Sequence, residues 1–135
     1  MVARWYAAGA GVVRRSIRRL DRRYHRRYDA AVTTAQLVRT LPTRVVSDVT
    51  GADARSVERW RAGVQPRRTT FVRRLDDLAA IVDLLGPAMN ERGKAAWLTS
   101  RSAYLGWQRP VDVLAAGGFD RVRNAARAYA AGDAS

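Results

Sequence analysis

Residues 43–63 read T-R-V-V-S-D-V-T-G-A-D-A-R-S-V-E-R-W-R-A-G. At about 100° per residue, Val45, Val46 and Val49 share one helical face, and Gly51 then supplies a residue that tolerates the positive φ of a tight turn. Asp53 offers an N-cap oxygen to a second helix. In that helix Val57 and Trp60 are three apart and face inward, and Gly63 closes it as a C-terminal glycine. Two short helices joined by a glycine turn describe a helix-turn-helix. Arg55, Ser56, Arg59 and Arg61 are left near or at the exposed side of the second helix. Guanidinium groups can pair with guanine edges in the major groove, and hydroxyls can contact bases or phosphates, so these four are the candidate DNA-reading residues. Glu58 works against a purely electrostatic surface, and a helical hairpin that merely packs satisfies the same pattern.

Downstream, Pro66 marks a turn. Arg67 and Arg68 follow the second helix closely enough to touch phosphates. Phe71, Leu75, Leu78, Val82 and Leu85 then recur at helical spacing among Arg73, Arg74, Asp76 and Asp77, until Gly86 and Pro87 stop the helix. Core packing explains that stripe fully. A further helix is expected over 88–98 in spite of Gly93, burying Met89, Ala96 and Trp97.

Upstream, the pattern changes. Val13, Ile17, Leu20, Tyr24, Tyr28 and Ala31 fall within an arc of about 80° on a helix. Arg14, Arg15, Arg18, Arg19, Arg22, Arg23, Arg26 and Arg27 cover most of the remaining circumference. The plain reading is a solvated arginine face on a packed helix. The sharper one is a phosphate grip with strong salt dependence, for which Arg14, Arg15, Arg18, Arg19, Arg22 and Arg23 are the candidates. A membrane surface ranks third, because Tyr24 and Tyr28 anchor less strongly than Leu or Phe. The apolar stripe serves equally as a dimer seam or as an intramolecular contact.

The charge agrees with this division. The chain has 135 residues and a net charge of +13. Nine Arg against Asp21 and Asp29 give residues 1–29 a charge of +7, over half of the total. Arginine dominance also follows from GC-rich coding, so the location of the charge is the firmer signal. A hydrophobic content of 47% is enough for one core or for two small helical units sharing one. No stretch keeps a two-residue alternation between turn signals, whereas Ala and Arg favour helix, so the fold is expected to be all-α. There is no cysteine, which excludes disulfides and thiolate metal sites. No apolar run reaches bilayer length. The stretch Trp5 to Val13 is broken by Gly9 and Gly11 and followed by dense arginine, which disfavours a signal peptide. A cytoplasmic protein is expected.

The stretch from Trp97 to Gly132 reads W-L-T-S-R-S-A-Y-L-G-W-Q-R-P-V-D-V-L-A-A-G-G-F-D-R-V-R-N-A-A-R-A-Y-A-A-G. Residues 98–108 suit a structured loop. Pro110 starts a short apolar helix that ends at Gly117-Gly118, and a closing helix carries Phe119, Val122, Ala126 and Tyr129 close to one face. This order of loop, Arg-Pro, short helix, glycine and closing helix resembles the toxin-binding domain of Xre/MbcA/ParS-type antitoxins. The likeness covers about 43–132, most specifically the C-terminal third, and the arginine-rich first 30 residues fall outside it.

Three segments are expected: a basic amphipathic arm over 1–30, read from its charge and periodicity, and, from the resemblance, an Xre-like helix-turn-helix domain over 31–86 and a toxin-binding helical domain over 87–135. The resemblance implies a partner, a RES-domain toxin that destroys NAD and is blocked by the C-terminal domain. It also implies operator DNA, bound to repress the toxin-antitoxin operon, and a homodimer or a hetero-oligomer with the toxin. Carried onto this chain, the toxin-facing candidates are Tyr104, Trp107, Arg109, Phe119, Arg121, Tyr129, Asp133 and Ser135. Aromatics and arginine dominate interface hot spots. Taken singly, Trp107 and Phe119 are read more simply as core, and Trp97 and the helix after Pro110 are expected to be core. The partner-facing surface is therefore sought in the loop from Tyr104 to Arg109 and in the tail.

Catalysis finds no support in the residues. His25 is the single histidine and lies among arginines, no Cys/His cluster has zinc spacing, and no glycine-rich loop precedes a Lys-Ser/Thr pair. The expectation is a non-enzyme without metal or cofactor. The alternative to an antitoxin is a stand-alone phage or prophage regulator that binds DNA and has no toxin partner.

Overall fold

Thr33 opens the described chain by capping α1 (Thr34–Thr40). Its hydroxyl accepts from the Gln36 amide while the Gln36 side chain accepts from the Thr33 amide. In a computed structural model, residues 33–132 other than Ala88 are described, and they hold seven α-helices and one 3-10 turn. The others are α2 (Thr43–Thr50), α3 (Ala54–Arg61), α4 (Thr69–Leu85), α5 (Glu91–Thr99), the 3-10 turn Ala103–Leu105, α6 (Pro110–Ala115) and α7 (Phe119–Ala130). Among these residues the only β-type pairing is an isolated bridge between Ser102 and Gln108. The all-α expectation holds.

The helix stops are set by local chemistry. Asp53 and Asn90 cap α3 and α5 through side-chain oxygens that accept from the amides of Ser56 and Gly93. Gly51 ends α2 at φ +83°, with its amide donating to the Ser47 carbonyl, so the chain reverses where sequence placed a glycine turn. Pro110 occupies the first turn of α6, where its missing amide hydrogen costs nothing. Gly118 is required for packing: a Cβ there would stand 2.6 Å from Val113 Cγ1.

Helix α4 is the hub. It packs against α7, α2, α1 and α6, and α2 packs in turn on α3 and α6. The buried set therefore runs without a break from Leu37 through Val46, Val57, Leu78, Leu98 and Leu114 to Ala126, across the 86/87 boundary expected from sequence. Its largest members, including Leu75, Leu78, Ile81, Leu98, Leu105 and Leu114, are fully buried. Burial on this scale drives folding at roughly 25 cal/mol per Å² of apolar surface.

Two sequence readings need correction. The helix over 88–98 begins at Glu91 instead, behind the Asn90 cap, so Met89 precedes it and packs only partly buried against the core. On that helix Trp97 and Leu98 are buried, whereas Ala96 is exposed because it lies on the opposite face. The Val13 to Ala31 stripe and the arginine pairs beside it lie outside the described residues.

Candidate partner-binding surfaces

The turn between α2 and α3 is fixed by short side chains. The Ser47 hydroxyl donates to the Ala52 carbonyl at 2.5 Å, the Thr50 hydroxyl donates to the Val46 carbonyl, and the Ala52 amide donates to Thr50 Oγ1. Val45, Val46, Val49, Val57 and Trp60 are all buried, as the spacing predicts. Arg55 and Arg59, four apart on α3, are exposed and share a face. Ser56 is half-buried and is tied to the cap. Its amide donates to Asp53 at 2.8 Å, and this bond, joined by one from the Ser56 hydroxyl, holds the Asp53 carboxyl below its ordinary range.

Arg61 departs from the expectation that it projects. Its Nη2 donates to the Leu41 carbonyl at 2.7 Å and its Nε lies 3.8 Å from Glu58, which also accepts from the Thr43 hydroxyl at 2.6 Å. As the last residue of α3, Arg61 turns back toward the end of α1 and braces α3 there. Arg67 and Arg68 are exposed in the turn before α4. The Arg68 guanidinium stands 5.3 Å from the Phe71 ring centroid, and Phe71 meets Trp60 edge-on at 5.5 Å, so this turn is tied to α3 through two rings.

The second surface is the loop 101–109. Ser102, only 4% exposed, is its inner anchor. Its amide donates to the Gln108 carbonyl, its carbonyl accepts from the amides of Leu105 and Trp107, and its hydroxyl accepts from the Tyr104 amide. A three-residue 3-10 turn has room for one inward side chain, and Leu105 takes it at 0% exposure. Tyr104 and Trp107 consequently point outward, at 48% and 64% exposure. This overturns the simpler reading of Trp107 as core.

The remaining candidates separate. Arg109, part-exposed, closes the loop, with Nε and Nη2 donating to the two carboxylate oxygens of Asp112 at 2.8 Å and Nη2 lying 3.8 Å from Asp48 on α2. The hydrogen bond from Arg109 lowers the Asp112 pKa, and the same bond raises that of Arg109. Phe119 is half-buried against the core with Arg123 over its ring at 5.6 Å, close to the core role read for it. Arg121 is exposed and its Nη2 reaches Gln108 Oε1 at 3.4 Å, which places it beside the loop. Tyr129 is exposed eight residues further along α7, roughly 12 Å up the axis. There it stands edge-on to Trp97 and borders a cleft lined by Leu84, Pro87 and Met89. Asp133, Ser135 and the arginines from Arg14 to Arg23 lie outside the described residues. Trp97, Pro110, Val111, Val113 and Leu114 are buried, as expected.

Among the described residues no three His, Cys, Asp or Glu side chains form a group that could hold a metal ion, and no helix is long and apolar enough to cross a membrane. The Asp48–Arg109 contact and the Ser102–Gln108 bridge had no sequence signal, since the first arises from long-range packing of α2 on α6 and the second closes a loop that spacing alone does not define.

The fold is that of a small all-α protein, and comparison with known proteins narrows the class. No protein-family model matches the chain. It is 36% identical over 107 residues, 75% of this chain and 90% of the relative, to the Mycobacterium tuberculosis protein named "Probable mycobacterial cidal antitoxin Rv3188". It is 35% identical over 78 residues to the mycobacterial cidal antitoxin MbcA of Mycobacterium bovis and M. tuberculosis, 57% of this chain and 68% of theirs. A crystal structure of the M. tuberculosis MbcT-MbcA toxin-antitoxin complex matches with a TM-score of 0.58 at 33% identity, over 68% of this chain and 83% of that one. The chain belongs to the mycobacterial cidal antitoxin family.

Proposed function

We propose that this chain is a type II antitoxin that binds and blocks a RES-domain, NAD-degrading toxin and represses its own operon through a helix-turn-helix formed by α2 and α3. The observation that carries the reading is the likeness to MbcA in both sequence and fold, where the matched structure is a toxin-antitoxin complex. The RES identity of the toxin rests on the family resemblance of the stretch Trp97 to Gly132.

The geometry supports a division of surfaces. The exposed Arg55 and Arg59 on α3, with Arg67 and Arg68 in the following turn, face DNA, with Ser56 contributing beside them. Arg61 belongs to this group only through bracing α3. The exposed Tyr104, Trp107, Arg121 and Tyr129 face the toxin, and Asp133 and Ser135 are further toxin-contact candidates from sequence. Arg109, part-exposed and tied to Asp112 and Asp48, and the half-buried Phe119 border that surface. The protein acts by binding, in the cytoplasm, without cofactor or metal. The proposal calls for a RES-domain protein in the neighbouring reading frame, and co-expression with it is the test: growth arrest by that protein is relieved if the reading is right, and continued arrest with both proteins present contradicts it.

A further inference from the structure

Among the described residues Trp107 is the one non-glycine with a positive φ, at +66°. That region is disfavoured for L-residues, most of all for bulky ones. The conformation is imposed from several sides. The Trp107 amide donates to Ser102 at 2.8 Å, Arg101 Nη1 donates to the Trp107 carbonyl at 3.0 Å, and the Ser102 amide donates to the Gln108 carbonyl at 3.1 Å. The fold gains little from the indole held this way. It is 64% exposed, whereas Trp60 and Trp97 are 7% and 8%.

A strained backbone that holds a large ring in water is a mark of recognition, because the side chain with most to gain from burial is kept available for it. Tyr104 widens the apolar area. Arg101 and Arg121 are exposed, and their hydrogen bonds go to neutral oxygens of Trp107 and Gln108. The charge of Arg101 also acts on the Asp112 carboxylate, and both guanidinium groups stay exposed at the loop.

We infer that Trp107 is the energetic centre of the toxin contact, a preset anchor that enters an apolar socket on the toxin whose rim carries carboxylates. The inference rests on the antitoxin reading above. Because the loop is ordered before contact, little ordering free energy is lost on binding. The arginines steer an acidic rim toward the loop and set a salt dependence on the association rate. A base stacking on the same indole is the competing use of this surface.

The test is calorimetric titration of the full chain with the purified candidate toxin, the RES-domain protein that the proposed function calls for, and separately with single-stranded oligothymidylate. Trp107→Ala and Trp107→Gly are each expected to weaken toxin binding roughly thirtyfold or more, the scale of an interface hot spot, while Trp107→Phe keeps most of it. Trp107→Gly should melt no lower than the parent, since glycine takes the same φ freely. Arg101→Glu with Arg121→Glu should slow association and flatten its salt dependence. Toxin binding unchanged by Trp107→Gly overturns the inference while leaving the antitoxin reading intact. So does an indole needed for oligothymidylate but not for toxin, or a Tm that falls along with affinity in Trp107→Gly. If the unsubstituted chain does not bind the toxin, the antitoxin reading itself fails and this inference goes with it.

Discussion

Arg109 holds both carboxylate oxygens of Asp112 at 2.8 Å while its Nη2 stands 3.8 Å from Asp48, so one guanidinium joins the exposed aromatic loop and α6 to helix α2. The sequence places Asp48 and Arg109 in different expected segments. In the fold they meet because α2 packs directly on α6.

Replacing Arg109 by Ala should therefore loosen the loop more than it loosens the fold. Amide exchange at residues 102–108 is expected to rise well above that of the parent, with a modest fall in Tm, and Asp48→Asn should reproduce part of the effect. Exchange mapped by mass spectrometry checks this. Protection in the loop that is the same in Arg109→Ala and the parent would count against a tie through Arg109.

The pH dependence follows from two depressed carboxyls. The Asp112 pKa is lowered first by the hydrogen bond from Arg109, and the Asp53 pKa first by the Ser56 amide. A carboxyl whose folded pKa lies below its unfolded one, about 3.9, stabilises the fold above that value and loses the contribution as pH falls through the folded pKa. Both groups are solvent-accessible, so each contribution is small. Thermal melts from pH 6 to about pH 2.5 should show a decline below roughly pH 4 that is shallower in Asp53→Asn and in Asp112→Asn. A decline as steep as the parent's in both variants contradicts the assignment.

Leu78→Ala tests the shared core. Leu78 is 0% exposed on the hub helix, and a cavity at such a site costs about 3 kcal/mol. Because the buried set is continuous from Leu37 to Ala126, calorimetry of the Leu78→Ala variant should show one transition, shifted down as a unit. Two separated transitions would mean that the segments on either side of Gly86 unfold independently.

On the DNA side the arginines of α3 should divide by geometry. Arg55→Ala or Arg59→Ala is expected to reduce discrimination between the chain's own promoter DNA and random DNA, at about 1–3 kcal/mol per lost base contact. Arg61→Ala should instead lower Tm, since its guanidinium bonds the Leu41 carbonyl. Removing residues 1–29 should weaken both DNAs alike and flatten the salt dependence. Mobility shifts across a salt series separate these outcomes. Equal loss from all of these changes would end the proposed division.

Much of this was readable from residue spacing, and the reasons are specific. The α2–turn–α3 unit was clear because Gly51, Asp53 and the Val/Trp spacing each constrain the backbone locally. The tie from Arg109 to Asp48 had no local signal because it is long-range: nothing near Arg109 in sequence points to Asp48. Trp107 was read as core when taken alone because a ring's burial depends on which residue of a short turn faces inward, and Leu105 takes that place. Ala96 failed for a similar reason. Shifting the helix start to Glu91 changes no spacing, but the face presented to the core is that of Trp97 and Leu98.

Silencing by direct contact would be visible in the toxin's own activity. The most direct measurement is the rate of NAD loss catalysed by a purified candidate toxin, the RES-domain protein sought in the neighbouring reading frame, as the full chain is titrated in. Activity is expected to fall to zero at a fixed molar ratio, with co-elution of the two proteins on size-exclusion chromatography. NAD loss that continues unchanged with the chain in excess, and no co-elution, would contradict it.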